Sequence, residues 1–146
     1  MVIAKLQRLK SNISSLDLFQ IFQETILEMK EQIIDLNTEG QLFEKGIDPD
    51  GEKLPLPYAP LTIILKKSKG QPTDRITLHD SGDLYRGWFI KFVSKSSFTM
   101  SSTDSKVPKL LDEWGNFFGL TKESIEFLQP EFKERFVGKV RAKILR

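Results

Sequence analysis

The single histidine of the chain, His79, stands beside Asp80, Ser81 and Asp83 in the stretch ITLHDSGDLYRGWFIKF, residues 76–92. A hydroxyl, an imidazole and a carboxylate are the parts of a nucleophilic triad. A triad needs its members to converge in distinct roles, and they usually arrive from distant segments. Here all the candidates fall within five residues, and no Gly-x-Ser-x-Gly elbow raises a serine onto a strand-to-helix turn. The same residues also suit architecture: Ser81 is an N-cap candidate, Gly82 permits a turn, and Asp83 favours a helix N-terminus. The architectural reading is the stronger one. It predicts a turn that launches a strand.

Two other clusters invite chemistry. In DPDGE, Asp48, Asp50 and Glu52 place three carboxylates at alternate positions. A calcium loop needs further oxygen ligands and a closing glutamate at longer spacing, whereas Asp-Pro and Asp-Gly are first of all turn chemistry. Lys66, Lys67 and Lys69, followed by Arg75, form a basic loop without the Gly-x-x-x-x-Gly-Lys pattern of a phosphate cradle. Such a loop could touch nucleic-acid phosphates, but the stacking aromatics of a single-strand binder are missing around it. A solvated loop or a protein contact fits better. Cysteine is absent, which removes disulfides, thiolate metal sites and a cysteine nucleophile.

The elements that must position these residues follow from periodicity. Ser14 or Ser15 is a plausible N-cap with Asp17 in the first turn. Leu18, Phe22, Ile26, Met29, Ile33 and Leu36 then recur at helical spacing, which predicts one long helix. A short helical piece ends at Gly46. PLPYAP reads as an extended connector or a polyproline-type ligand, and LTIILKKSKG suits either a short helix or a strand. Trp88, Ile90 and Phe92 alternate with Phe89, Lys91 and Val93, so a strand is expected there, turning near Lys95-Ser96 into SFTMSST. VPKLLDEWG reads as a helical turn closed by glycine. Thr121 caps KESIEFL, and Pro130 sits at or near the start of the C-terminal helix. The order predicts an α+β fold in which a long N-terminal helix and a C-terminal helix pack on a small antiparallel hairpin.

A chain of 146 residues, 39% hydrophobic and 29% charged, with eleven Phe, suits one globular domain over residues 1–146, with a flexible loop expected at 47–75. The opening MVIAKLQRLKSNISS has no apolar core of a secretory signal, and no run approaches a membrane span, so an intracellular setting is expected. Residues 1–50 carry five Lys/Arg and nine Asp/Glu; residues 51–146 carry 17 and 11. Such a contrast suits a subunit whose faces meet unlike neighbours, or copies of itself.

The order of motifs goes further. GIDPDGEKLP, PLTIILKKSKG and ITLHDSGDLYRGWFI together resemble the virion-morphogenesis, or tail-completion, family of tailed phages and prophages. The matching positions are Asp48, Gly51, Thr62, Lys66, Leu78, Asp80, Ser81, Gly82 and Leu84, covering about a third of the chain; Leu54-Pro55 departs from the family's aromatic near the Asp-Gly turn. The resemblance implies a structural virion component at the neck or tail end, acting by protein–protein contacts, with no enzymatic activity and no cofactor. Its expected partners are other phage structural proteins (connector, tail tube or tail terminator) and further copies of itself in a ring. It implies residence in the virion and, during assembly, in the host cytoplasm. A nucleic-acid-binding module using Lys66, Lys67, Lys69 and Arg75 is the alternative, and neither membrane nor direct nucleic-acid contact is otherwise expected.

Overall fold

The opening residues form a complete helix, α1 (Val2–Ser14), in the computed structural model, which describes residues 2–146. The two serines expected to cap the next helix bond backwards instead. Ser14 Oγ donates to the Ser11 carbonyl and Ser15 Oγ to the Asn12 carbonyl, each at 3.0 Å. Asp17 is the actual N-cap of α2 (Leu18–Glu28), its Oδ1 accepting from the N–H groups of Phe19 and Gln20 at 3.1 Å. A carboxylate suits this place because it meets both the orphan donors and the positive end of the helix dipole.

The long helix expected over 18–36 is divided. α2 breaks at Met29 (φ −96°, ψ 10°), α3 (Lys30–Asp35) follows, and residues Leu36–Lys45 wind as a π-helix. In that segment Asn37, Thr38, Gln41 and Leu42 are buried. They recur four and five residues apart, a spacing that bonding to the fifth residue lines up on one side. Gly46, with φ 63°, ends the segment where the sequence placed its end.

LTIILKKSKG resolves as a helix, α4 (Pro60–Ser68), with proline at its first position and Lys66 and Lys67 in its last turn. It lies inside the stretch 47–75 expected as a loop, and Leu54 and Tyr58 of that stretch are buried. A short helix, α5 (Asp83–Arg86), leads into β1 (Trp88–Ser94), which pairs antiparallel with β2 (Ser97–Ser102). The register sets Trp88 opposite Ser102, Ile90 opposite Met100 and Phe92 opposite Phe98. Trp88 and Met100 on that face are buried while Phe89, Lys91 and Val93 are exposed, as the alternation predicted. The α+β architecture is therefore the expected one.

α6 (Val107–Trp114) ends at Gly115, and α7 (Lys122–Leu145) begins at its N-cap Thr121, whose Oγ1 accepts from Ser124 N–H at 3.1 Å. Pro130 does not start a helix; it sits inside one continuous α7. Proline removes one backbone bond, the one its position would make to the Glu126 carbonyl, and both Pro130 and Glu126 are exposed. Packing beyond the proline holds the helix: Phe132 meets Phe22 of α2 edge-on at 5.8 Å and stacks on Phe136 at 5.7 Å. Farther along, Glu28 pairs with Arg135 and Lys139, and Glu24 lies 3.9 Å from Lys143. Two of the nine acids in residues 1–50, Glu24 and Glu28, are thus met by cations of the second half within the molecule.

An aromatic cluster of Trp88, Phe117 and Phe118 fills the centre, with ring centroids of Trp88–Phe118 and Phe117–Phe118 both at 4.5 Å. Residues 115–121 cross this region without regular structure. Two buried amides bond them. Asn37 Nδ2 donates to Phe117 O at 3.0 Å and its Oδ1 accepts from Gly119 N–H at 2.7 Å. Gln41 Nε2 donates to Gly119 O at 2.8 Å, and its Oε1 accepts from Thr121 N–H and Ser124 Oγ, both at 2.9 Å. Gln41→Leu keeps comparable bulk but orphans these groups; each buried unpaired group costs about 1–3 kcal/mol. Urea denaturation is expected to show a loss of at least about 3 kcal/mol for this change.

Candidate functional site

Residues 75–82 run between α4 and α5 with no strand beside them. Their backbone groups must find other partners, and side chains supply them. Tyr58 OH donates to Arg75 O at 2.8 Å and accepts from Thr77 N–H at 3.1 Å. Tyr85 OH donates to Thr77 O at 2.5 Å. Lys66 Nζ donates to His79 O at 3.2 Å, and Gln71 Nε2 to Asp80 O at 2.8 Å. Thus fastened, Leu78 is held at φ 56°, a left-handed conformation that costs a side-chain-bearing residue about 1–2 kcal/mol.

Seven of the nine positions on which the resemblance rests line one cleft of about 440 Å³: Thr62, Lys66, Leu78, Asp80, Ser81, Gly82 and Leu84. Asp48 and Gly51 lie apart from it. Asp48 Oδ1 accepts from the N–H groups of Asp50 and Glu52, both at 2.9 Å, and Gly51 takes φ 82° to close that turn. Asp48, Asp50 and Glu52 therefore share a turn rather than a ligand shell, and among the described residues no group of three or more His, Asp or Glu gathers as a metal site would need.

Within the cleft, His79, Asp80 and Ser81 do not converge. The His79 ring is packed edge-on against Tyr85 at 4.9 Å and Phe43 at 5.6 Å, and its Nδ1 is buried without a hydrogen bond among the described residues. Asp80 pairs with Lys69, whose hydrogen bond and charge hold the carboxyl below its usual range. Ser81 Oγ accepts from Asp83 N–H at 3.3 Å. It stands one residue before the cap it was expected to be: Gly82 occupies the N-cap place with φ 89°, a conformation that favours glycine. Asp83, paired with Arg86 and bonded by Ser81, is also held low.

The four basic residues of the expected interaction loop do not share one surface. Lys66 is 8% exposed, its Nζ 5.0 Å from the centre of the Tyr58 ring. Burial pushes its pKa down, with Asp80 opposing. Lys69 is held by Asp80. Arg75 Nε donates to Phe43 O at 2.6 Å while its Nη1 pairs with Asp74. Lys67 alone of the four is exposed and outside the ion pairs of the described residues.

The chain matches no family model, no curated protein and no solved structure. No helix among the described residues is long and apolar enough to cross a membrane.

Sequence reasoning missed Tyr58, Thr77 and Tyr85. A signal was present: with eleven Phe and only two Tyr, each phenol oxygen implies a use that a phenyl ring would not meet. Both hydroxyls are bonded to the same short segment.

Two predictions follow from this geometry. A Cβ on Gly82 would stand 2.8 Å from Arg86 Nη1 and 3.3 Å from His79 Nε2, on a backbone that β-branched residues resist. Gly82→Val is expected to lower stability by more than about 1 kcal/mol, read from the denaturation midpoint. The second concerns alkaline pH. Burial raises the pKa of Tyr58 and Tyr85 above 10.0. Above that pH the unfolded tyrosines ionise while the folded ones stay neutral, so the unfolding free energy falls. Lys66 slopes the other way: from its lowered folded pKa up to 10.5 the unfolded state holds the extra proton, and stability rises with pH. Denaturation series between pH 8 and 12 are expected to show a shallower alkaline fall in Tyr85→Phe and a steeper one in Lys66→Met.

Proposed function

We propose that this protein is a structural virion protein of a tailed phage or prophage, acting in head–tail joining or tail completion through protein–protein contacts. The reading begins from the motif resemblance and is supported by how the motif residues are used. Lys66, Asp80, Ser81 and Gly82 hold and turn the 75–82 segment, which is architecture rather than reaction chemistry. In this reading the protein has no catalytic step and needs no cofactor. Its partners are connector, tail-tube or terminator proteins and other copies of itself, met first in the host cytoplasm and then in the virion.

The observation that carries the proposal is the distribution of apolar residues on the surface. α1 has no buried residue, and Val2, Ile3, Leu6 and Ile13 are exposed along it. α4 turns Leu61, Ile64 and Leu65 outward. Scattered exposed hydrophobics need no explanation, but contiguous apolar stripes mark surfaces that become covered. The alternative reading, nucleic-acid binding by Lys66–Arg75, draws less support because the loop offers only Lys67 uncommitted.

The test is genetic. Deleting the gene from the phage or prophage that carries it is expected to leave filled heads and separate tails, with infectious titre restored by the protein supplied in trans. His79→Ala is expected to restore titre as well as the wild type, because the ring serves as packing between Phe43 and Tyr85. A His79→Ala protein that folds but leaves titre at the deletion level would assign the imidazole a chemical role.

A further inference from the structure

α1 carries a narrow apolar seam, and most of it stays uncovered. Val2, Leu6, Leu9 and Ile13 follow one another at intervals of four, three and four residues. That alternation lines the side of a helix that packs along a second helix. Val2 is 72%, Leu6 59% and Ile13 54% exposed, Leu9 is half-buried, and Ile3 widens the seam only in its first turn. The base of the helix is nevertheless fixed. Asn12 Nδ2 donates to Ile144 O at 2.9 Å and to Arg146 O at 3.1 Å, which holds α1 beside the end of α7. An anchored helix therefore presents the seam.

Its border has one sign. Lys5 comes just before Leu6 and Lys10 just after Leu9, which sets one ammonium on each side of the seam. These are the positions whose charges choose partners in paired helices. Arg8 lies farther round, and α1 contains no acid. Lys5, Arg8 and Lys10 all stay outside the ion pairs of the described residues.

We propose that α1 docks an acidic amphipathic helix of another protein, which lies along Val2, Leu6, Leu9 and Ile13 and sets its carboxylates against Lys5 and Lys10. The inference rests on the structural reading above and gives one of its protein–protein contacts a chemistry. The seam argues against a bilayer. A membrane-surface helix presents a broad apolar face that includes Trp or Phe, whereas this stripe is narrow and α1 contains no aromatic residue. A second α1 is disfavoured too, because either orientation brings lysines against lysines. Neither α4 nor the Phe127 surface of a second copy fits better. Phe127 has Glu123, Ser124, Pro130 and Glu131 at three and four residues, so it offers one knob and no seam. Both of those glutamates are already paired, to Lys45 and Arg135. α4 contains no acid at all. The partner is a different chain.

The test uses the full-length, isotope-labelled protein and two synthetic helices three heptads long, alike except for glutamate or lysine beside the apolar seam. The glutamate peptide is expected to shift the amide resonances of residues 2–14 at a several-fold lower concentration than the lysine peptide. That preference should narrow toward 1 M salt, where screening shortens to about 3 Å. A Lys5→Glu, Lys10→Glu chain, changed at exposed positions and checked for unchanged melting, is expected to prefer the lysine peptide instead. The proposal is overturned if either chain takes both peptides equally or neither, or if these resonances move when the protein alone is concentrated. It is equally overturned if vesicles of phosphatidylserine and phosphatidylcholine in equal parts shift them and the glutamate peptide does not. In the titre assay the charge-reversed chain is expected to leave titre near the deletion level. Full restoration by that chain would remove this contact and leave the neck role standing. A retained peptide preference in a protein dispensable for head–tail joining would keep the contact and remove the neck role.

Discussion

The structure depends on satisfying backbone polar groups where there is little sheet to do it. The described residues contain one hairpin of two strands, and a hairpin alone is barely stable in water. Two irregular stretches, 75–82 and 115–121, nevertheless run through or beside the core. Every buried N–H and C=O along them needs a partner. Asn37 and Gln41 serve the second stretch, and Tyr58, Tyr85, Lys66 and Gln71 the first. Side-chain amides, phenols and one ammonium do the work that neighbouring strands do elsewhere. The aromatic cluster of Trp88, Phe117 and Phe118 is positioned by these bonds as much as by its own packing.

That constraint explains the oddest residue in the molecule. A buried lysine is costly unless its charge is met. Lys66 meets a carbonyl, an aromatic face and the nearby field of Asp80, so it can remain inside α4 while leucine and isoleucine stay outside. The acids of α2 show the opposite economy: Glu24 and Glu28 look like a solvent-facing stripe in sequence but are half-covered by three cations of α7. Charge counted by sequence halves therefore overstates what remains for partners, and the charges bordering individual apolar patches matter more.

What could be read in advance has a physical pattern. The hairpin was legible because Trp88, Ile90 and Phe92 alternate with outward residues and because Lys95-Ser96 interrupts them. Gly46, Gly82 and Thr121 were legible because helix ends and turns are local chemistry. The amide clamp was not: Asn37 and Gln41 resemble any polar face, and their partners lie about eighty residues away. Pro130 misled because the helix is pinned before it by the Thr121 cap and the Ser124–Gln41 bond and after it by Phe132 on Phe22. At the cleft, the Ser81-Gly82-Asp83 turn was visible, whereas the burial of Lys66 depends on Tyr58 and His79 arriving from other segments.

The winding of residues Leu36–Lys45 has a geometric consequence. In an α-helix, residues four apart share a face but residues five apart diverge by about 140°, so Leu42 would leave the side that Asn37 occupies. The looser π winding keeps Leu42 on the buried side together with both amides. It also fixes the compass bearing at which the chain leaves Gly46, and the next contacts of that exit, Arg75 on Phe43 and the Ile47–Lys53 bridge, inherit it. Ten residues of unusual pitch thereby set where the Ile47–Lys53 turn leaves the helical run and where Arg75 meets it.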